Sequence, residues 1–124
     1  MMRFVILWHD WPEAHYDLLL EAVDCAWAWR LPVPPEAGRE ITACRNRDHR
    51  LLYLEYEGPL TENRGRVRRW DAGSYEGTLA TVPLRLKVLG ERLRGTLVLE
   101  PQDEALWHLQ YLPDEQIANG PGTS

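Results

Sequence analysis

At 124 residues the chain has the length of one ordinary domain, enough for a sizeable core without metal or disulfide staples. A formal net charge of −5 excludes the broadly basic surface of a nonspecific nucleic-acid binder, because phosphate affinity comes largely from lysine and arginine. No apolar run approaches the roughly 20 residues of a membrane helix, so a soluble protein with no membrane partner is expected.

Arg3 to His9 (RFVILWH), rich in branched and aromatic residues, reads as a buried first strand. Asp10-Trp11-Pro12-Glu13 then resembles a helix start, with Asp as N-cap, Pro in the first turn and Glu at the capping-box position. Residues 15–21 (HYDLLLE) support a different reading. As a strand, their period of two puts His15 and Asp17 on one face and Tyr16 on the other. As a helix they would set His15 and Asp17 roughly 200° apart. Joint use of the two side chains therefore requires a turn near 10–14 followed by a strand.

Residues 24–31 (DCAWAWRL) form the next apolar stretch, ended by the Pro-rich PVPPEAG. Further strand candidates are ITACR at 41–45, LLYLEYEG from 51, GRVRRWD from 65, VPLRLKVLG from 82, RLRGTLVLE from 92 and ALWHLQYL from 105. Many short strands with Gly and Pro breaks favour an all-β sandwich or barrel over a parallel α/β sheet. No repeat or second domain emerges. One domain over 1–118 and a flexible tail over 119–124 (NGPGTS) are expected. Cys25 and Cys44 form no CxxC pair and no stretch resembles a secretory signal, so a reduced cytoplasmic setting is the simpler expectation. One disulfide between them stays open.

Three of the four histidines fall in two short stretches, His9-Asp10…His15-Tyr16-Asp17 and Asp48-His49…Tyr53. On strands, His9, His15 and Asp17 can converge on a metal, and imidazole nitrogen with carboxylate oxygen suits Mn, Fe or Zn. Asp10 is placed either to orient a ligating histidine or to cap the turn. His49 beside Asp48 reads on its own as an exposed ion pair, and Tyr53 as core. Arg64, Arg66 and Arg68 would share one strand face, either to hold phosphates or to pair with the protein's own carboxylates. Of the six tryptophans, Trp8, Trp27, Trp29, Trp70 and Trp107 sit in strand patterns that favour core packing. Trp11 is the best candidate for stacking on an unpaired base. His108, between Trp107 and Leu109, reads as structural.

The segments FVILWHD followed by HYDLLLE, RDHRLLYLEYEG, WDAGSYE from Trp70, GERLRGTLVL from Gly90 and LWHLQYLPDE run collinearly from about Phe4 to Glu115. Their order and spacing resemble the 3′-phosphoesterase domain of bacterial DNA ligase D and its stand-alone relatives. The resemblance implies a mostly β protein, a compact closed β-barrel with small flanking helices or turns. It also implies a metal-dependent phosphoesterase that removes a 3′-phosphate or a 3′-terminal ribonucleotide remnant from DNA ends in break repair. His9, His15 and Asp17 match its metal ligands, manganese suiting that donor set. His49 and Tyr53 match its phosphate-contacting and catalytic positions. The implied partners are DNA or DNA-RNA 3′ ends and a separately encoded ligase or polymerase.

The chain departs from the family at two positions. The family's arginine two residues after the metal-binding aspartate corresponds to Leu19, and its glutamine two residues before the first metal-binding histidine to Leu7. Arg64, Arg66 or Arg68 would then have to supply a guanidinium. Two other readings stay open: a noncatalytic module that binds DNA ends or a repair partner, and, more distantly, a small metal-dependent oxygenase with two histidines and one carboxylate. If the guanidinium is limiting, Leu19→Arg is expected to raise activity.

Overall fold

The computed structural model describes residues 1–114, so the tail expected at 119–124 lies outside the described residues. Its strands are β1 (Met2–His9), β2 (His15–Glu21), β3 (Ala26–Leu31), β4 (Glu40–His49), β5 (Gly58–Pro59), β6 (Arg66–Glu76), β7 (Leu84–Gly90), β8 (Arg94–Pro101) and β9 (Leu106–Pro113). All belong to one antiparallel sheet ordered β1-β2-β3-β4-β9-β8-β7-β6-β5, and β6 also pairs with β1, closing the eight longer strands into a barrel. The mostly β, closed-barrel class is as expected. Of the small flanking helices, the described residues contain a single 3-10 turn, Leu51–Leu54. No described helix is long and apolar enough to cross a membrane.

The barrel follows from alternation. Phe4 and Ile6 of β1, Leu18 and Leu20 of β2, Trp29 and Leu31 of β3, and their counterparts on the far wall fill the interior. Each fully buried side chain of this size stabilises the fold by about 1.5–3 kcal/mol. The intervening residues face outward, and on most strands they are polar. On β1, β2 and β3 they include Val5, Leu7, Leu19, Ala26 and Ala28, which with Leu54 and Val67 form a second apolar cluster outside the wall. That outer cluster needs a cover.

The cover is the chain that leaves β4. LLYLEYEG does not form the expected strand. Leu51 and Leu54, three residues apart, lie one turn from each other and turn toward the wall, while Leu52 stays exposed. The helix-like signal at Asp10–Glu13 ends just as early: the chain bends at 11–13 and enters β2 at His15. β2 pairs with β1 on one side and β3 on the other, and these two ladders override a weak local propensity. Cys25 and Cys44 are free thiols.

Asp71, midway along β6, locks the turn between β7 and β8. It is buried, and its Oδ1 accepts the backbone N–H groups of Ala72, Glu91 and Arg92 at 2.9, 2.8 and 3.1 Å while Oδ2 accepts that of Leu93 at 2.8 Å. One carboxylate thus satisfies the turn between β7 and β8. Gly90 permits the approach, since a Cβ there would stand 2.5 Å from Asp71 Oδ2. The WDAGSYE and GERL segments are therefore a structural pair that lines neither the cleft nor the hollow described below. Asp71→Ala is expected to lower the unfolding free energy by about 3 kcal/mol in denaturant titration, because charge-assisted hydrogen bonds are worth about 1.5–3 kcal/mol. Metal affinity should be unchanged.

Candidate metal centre

The site forms where β1 ends and β2 begins. In their register His9 faces His15 and Leu7 faces Asp17, and directly opposed residues share a face, here the outer one. The two imidazole centroids lie 4.8 Å apart. His9 Nδ1 is 3.4 Å from Asp17 Oδ2, and His15 Nε2 is 3.2 Å from Asp17 Oδ1. His15 and Asp17 are buried and His9 half-buried.

Backbone carbonyls orient both rings. His9 Nε2 lies 2.9 Å from the Arg64 carbonyl oxygen and His15 Nδ1 2.8 Å from that of Glu13. A carbonyl only accepts, so these nitrogens are assigned the protons, and each neutral ring turns its other nitrogen, a lone pair, toward Asp17. His15 Nε2 is buried and makes no hydrogen bond, its approach to Asp17 being off line for one. The donor atoms of His9, His15 and Asp17 all lie within 4.8 Å of one another. Ligands held at about 2.1 Å by one ion sit roughly 3.0–3.4 Å from their neighbours, which both His–Asp separations match, while the two imidazole nitrogens, up to 4.8 Å apart, would draw together on an ion. The residues fit a divalent metal.

The loop that carries the Arg64 carbonyl is clamped in turn. Asp10 Oδ1 accepts the Arg66 N–H at 2.8 Å, and the Asp10 N–H donates to the Arg66 carbonyl at 3.3 Å. Gly65 between them has φ +80°, and a Cβ there would meet Asp10 Oδ1 at 2.2 Å. Asp10 therefore acts one step back from the place expected for it. It holds the loop that holds His9, and it bonds to neither imidazole.

Electrostatics tie the three side chains together. The Asp17 contact holds the His9 imidazole above its ordinary pKa, against the opposing effect of burial and with help from the Arg64 carbonyl. Burial by itself would raise Asp17. The contacts from His15 and His9 outweigh it and bring the carboxylate to about 2.

Beside the trio opens a cleft of about 470 Å³ lined by His9, Asp17, His49, Tyr53 and Arg64 among others, within the range of small-ligand pockets, about 300–1,000 Å³. The His49 Nδ1–H donates to the Arg47 carbonyl at 3.0 Å, leaving Nε2 for the cleft. The Tyr53 ring stands edge-on to His49 at 6.0 Å. Trp11, 42% exposed, borders this cleft and a more open hollow that includes Asp10 and Arg66. The fold brings His9, His15, Asp17, His49, Tyr53, Trp11 and Arg64 to one neighbourhood.

Other expectations fare differently. Arg64 is not on a strand, because β6 begins at Arg66 and the left-handed Gly65 breaks the alternation, so no strip of three arginines forms. Arg68 borders neither cleft nor hollow. Leu7 lines the cleft, and Leu19 is fully buried in the outer apolar cluster. His108 lies outside the cleft, 3.2 Å from Glu40. Arg30, Arg47 and Arg50, which line the cleft, were passed over in the sequence. The available signal was the parity of Arg30 with Ala26 and Ala28, opposite to Trp29.

The model of the family described as DNA Ligase D 3′-phosphoesterase domain matches residues 8–100, most of the chain. Among curated proteins no match is found.

Without metal, the His9–Asp17 contact stabilises the fold fully below the ordinary imidazole pKa of about 6.5 and is lost as pH rises through the raised value of His9. Metal binding has the opposite slope, since it requires the unprotonated ring. Unfolding followed from pH 6 to 8 should show metal-free stability falling while the increment from added manganese grows. A pH-independent increment would remove His9 from the ligand set. Leu19→Arg buries an unpaired charge and is expected to cost at least about 3 kcal/mol in denaturant titration. The gain of activity expected for it from the sequence is withdrawn.

Proposed function

The chain belongs to the DNA ligase D 3′-phosphoesterase domain family, whose role is at DNA ends in repair, and we propose that this protein is a metal-dependent enzyme of that kind. Its substrate is a 3′-terminal phosphate or a ribonucleotide remnant, and its product a 3′-hydroxyl. The observation that carries the reading is the convergence of His9, His15 and Asp17, with two carbonyl-fixed lone pairs and a carboxylate, beside a cleft that also holds His49 and Tyr53.

His9, His15 and Asp17 would hold the ion, manganese in our reading because the donor set mixes nitrogen and oxygen. A divalent cation there supplies Lewis-acid polarisation of a phosphate oxygen. The chain's own groups do the rest. His49, with Nδ1 committed to the Arg47 carbonyl, offers Nε2 to a phosphate oxygen or a leaving oxygen. The Tyr53 hydroxyl, without a partner among the described residues, donates a hydrogen bond as charge develops on the same group. Trp11 gives the terminal base a stacking surface at the edge of the cleft, and Arg64 and Arg66 flank it on either side of Gly65.

We place the protein as one domain over 1–118 in the reducing cytoplasm, a setting consistent with its two free thiols. It would act with a ligase or polymerase, since both consume a 3′-hydroxyl. A noncatalytic end-binding module is the second reading, favoured by the apolar Leu7 and Leu19 beside the trio.

The test is manganese-dependent turnover of a primer-template whose primer ends in a 3′-phosphate or one ribonucleotide. Conversion to a 3′-hydroxyl is expected, with His15→Ala and Asp17→Ala each inactive and weak in manganese binding. His108→Ala should leave both properties intact. Absence of conversion by folded, manganese-loaded protein would overturn the enzymatic reading in favour of the binding module.

A further inference from the structure

The β2–β3 register sets Asp17 directly opposite Arg30, so both rise from the same face of the wall. An arginine so placed would ordinarily pair with its neighbouring carboxylate. Here Asp17 turns Oδ2 to His9 and Oδ1 to His15. The Arg30 guanidinium lines the cleft without an ion pair or side-chain hydrogen bond among the described residues. Its donors are unspent.

Arg47 and Arg50 also line the cleft, but it is Arg30 that lies across a ladder from Asp17, and the other groups around it narrow what it can do. Leu7 and Leu19, on the same outer face, offer no donor. Arg64 is tethered to the Thr61 carbonyl and hydroxyl at 3.2 and 3.3 Å and stands 3.8 Å from Glu62. Asp48, the second carboxylate of the cleft, is held by Arg45 at 3.2 Å. The cleft thus keeps an anion-attracting field in a protein of formal net charge −5. A guanidinium presents a planar fork of donors that fits two oxygens of a tetrahedral oxyanion at once.

We propose that Arg30 supplies the guanidinium that grips the substrate's terminal phosphate next to His9, His15 and Asp17. The residue comes from β3, one strand away from Leu19. The assignment rests on the phosphoesterase reading for its substrate, and its test does not depend on turnover.

Inorganic sulfate, a stable tetrahedral oxyanion, is titrated by calorimetry into manganese-loaded protein, and manganese affinity is measured separately. Arg30→Ala should weaken sulfate binding about tenfold or more, the scale of a lost charge-assisted pair, with manganese affinity unchanged. Arg30→Lys should fall between, and the exposed Arg85→Ala on β7 should bind as the unaltered protein does. Equal sulfate affinity in Arg30→Ala and the unaltered protein would overturn the proposal, as would an unaltered protein that binds no sulfate. Parallel loss of manganese affinity would also overturn it, because Arg30 would then be supporting Asp17 and not gripping the anion. The expected sulfate pattern in a protein without turnover would sustain Arg30 as the anion clamp while the enzymatic reading fails.

Discussion

The register of β1 on β2 is the constraint on which the site depends. It pairs His9 with His15 and Leu7 with Asp17, and because the side-chain period is two, a slip of one residue would send His15 and Asp17 into the barrel and Leu18 and Leu20 out of it. Fully buried Leu18 and Leu20 make that slip costly. The same apolar burial that closes the barrel therefore sets the ligands at their separations. The β2–β3 ladder extends the arrangement by one strand and brings Arg30 level with Asp17.

The site lies on the outside of the wall, where a side chain would ordinarily meet water. What makes it a site is the segment from Arg50 to Gly65. Its first part lays Leu54 on the outer cluster and carries Tyr53 to the cleft, beside His49 at the end of β4. Its last part brings the Arg64 carbonyl to His9. Leu7 and Leu19 are the floor on which this cover rests, so apolar packing and site geometry share the same residues. A polar replacement at Leu19 would disturb both.

Much of this was legible in the sequence because period two is a strong signal. The strands, the interior residues and the shared face of His15 and Asp17 all follow from it. The reading was weakest where the chain leaves the sheet. LLYLEYEG has the composition of a strand, and only the spacing of Leu51 and Leu54 betrays a turn. RGRVRR reads as one alternating strip until a left-handed Gly65 separates Arg64 from the strand. Arg30 was hidden for another reason. Its role depends on which residue lies across the ladder, and pairing between strands is not written in either strand alone.

The outer support of the histidines is main chain. The acceptors that fix the two tautomers are the carbonyls of Glu13 and Arg64, and no amino-acid replacement at either position deletes a carbonyl. Many proteins orient such rings with carboxylate side chains, which a single codon change can remove. The orientation of the rings therefore does not depend on which side chains residues 13 and 64 carry. Vulnerability moves to whatever sets the path of the chain. Gly65, with no room for a Cβ beside Asp10, becomes as sensitive a position as a ligand while touching neither ion nor substrate.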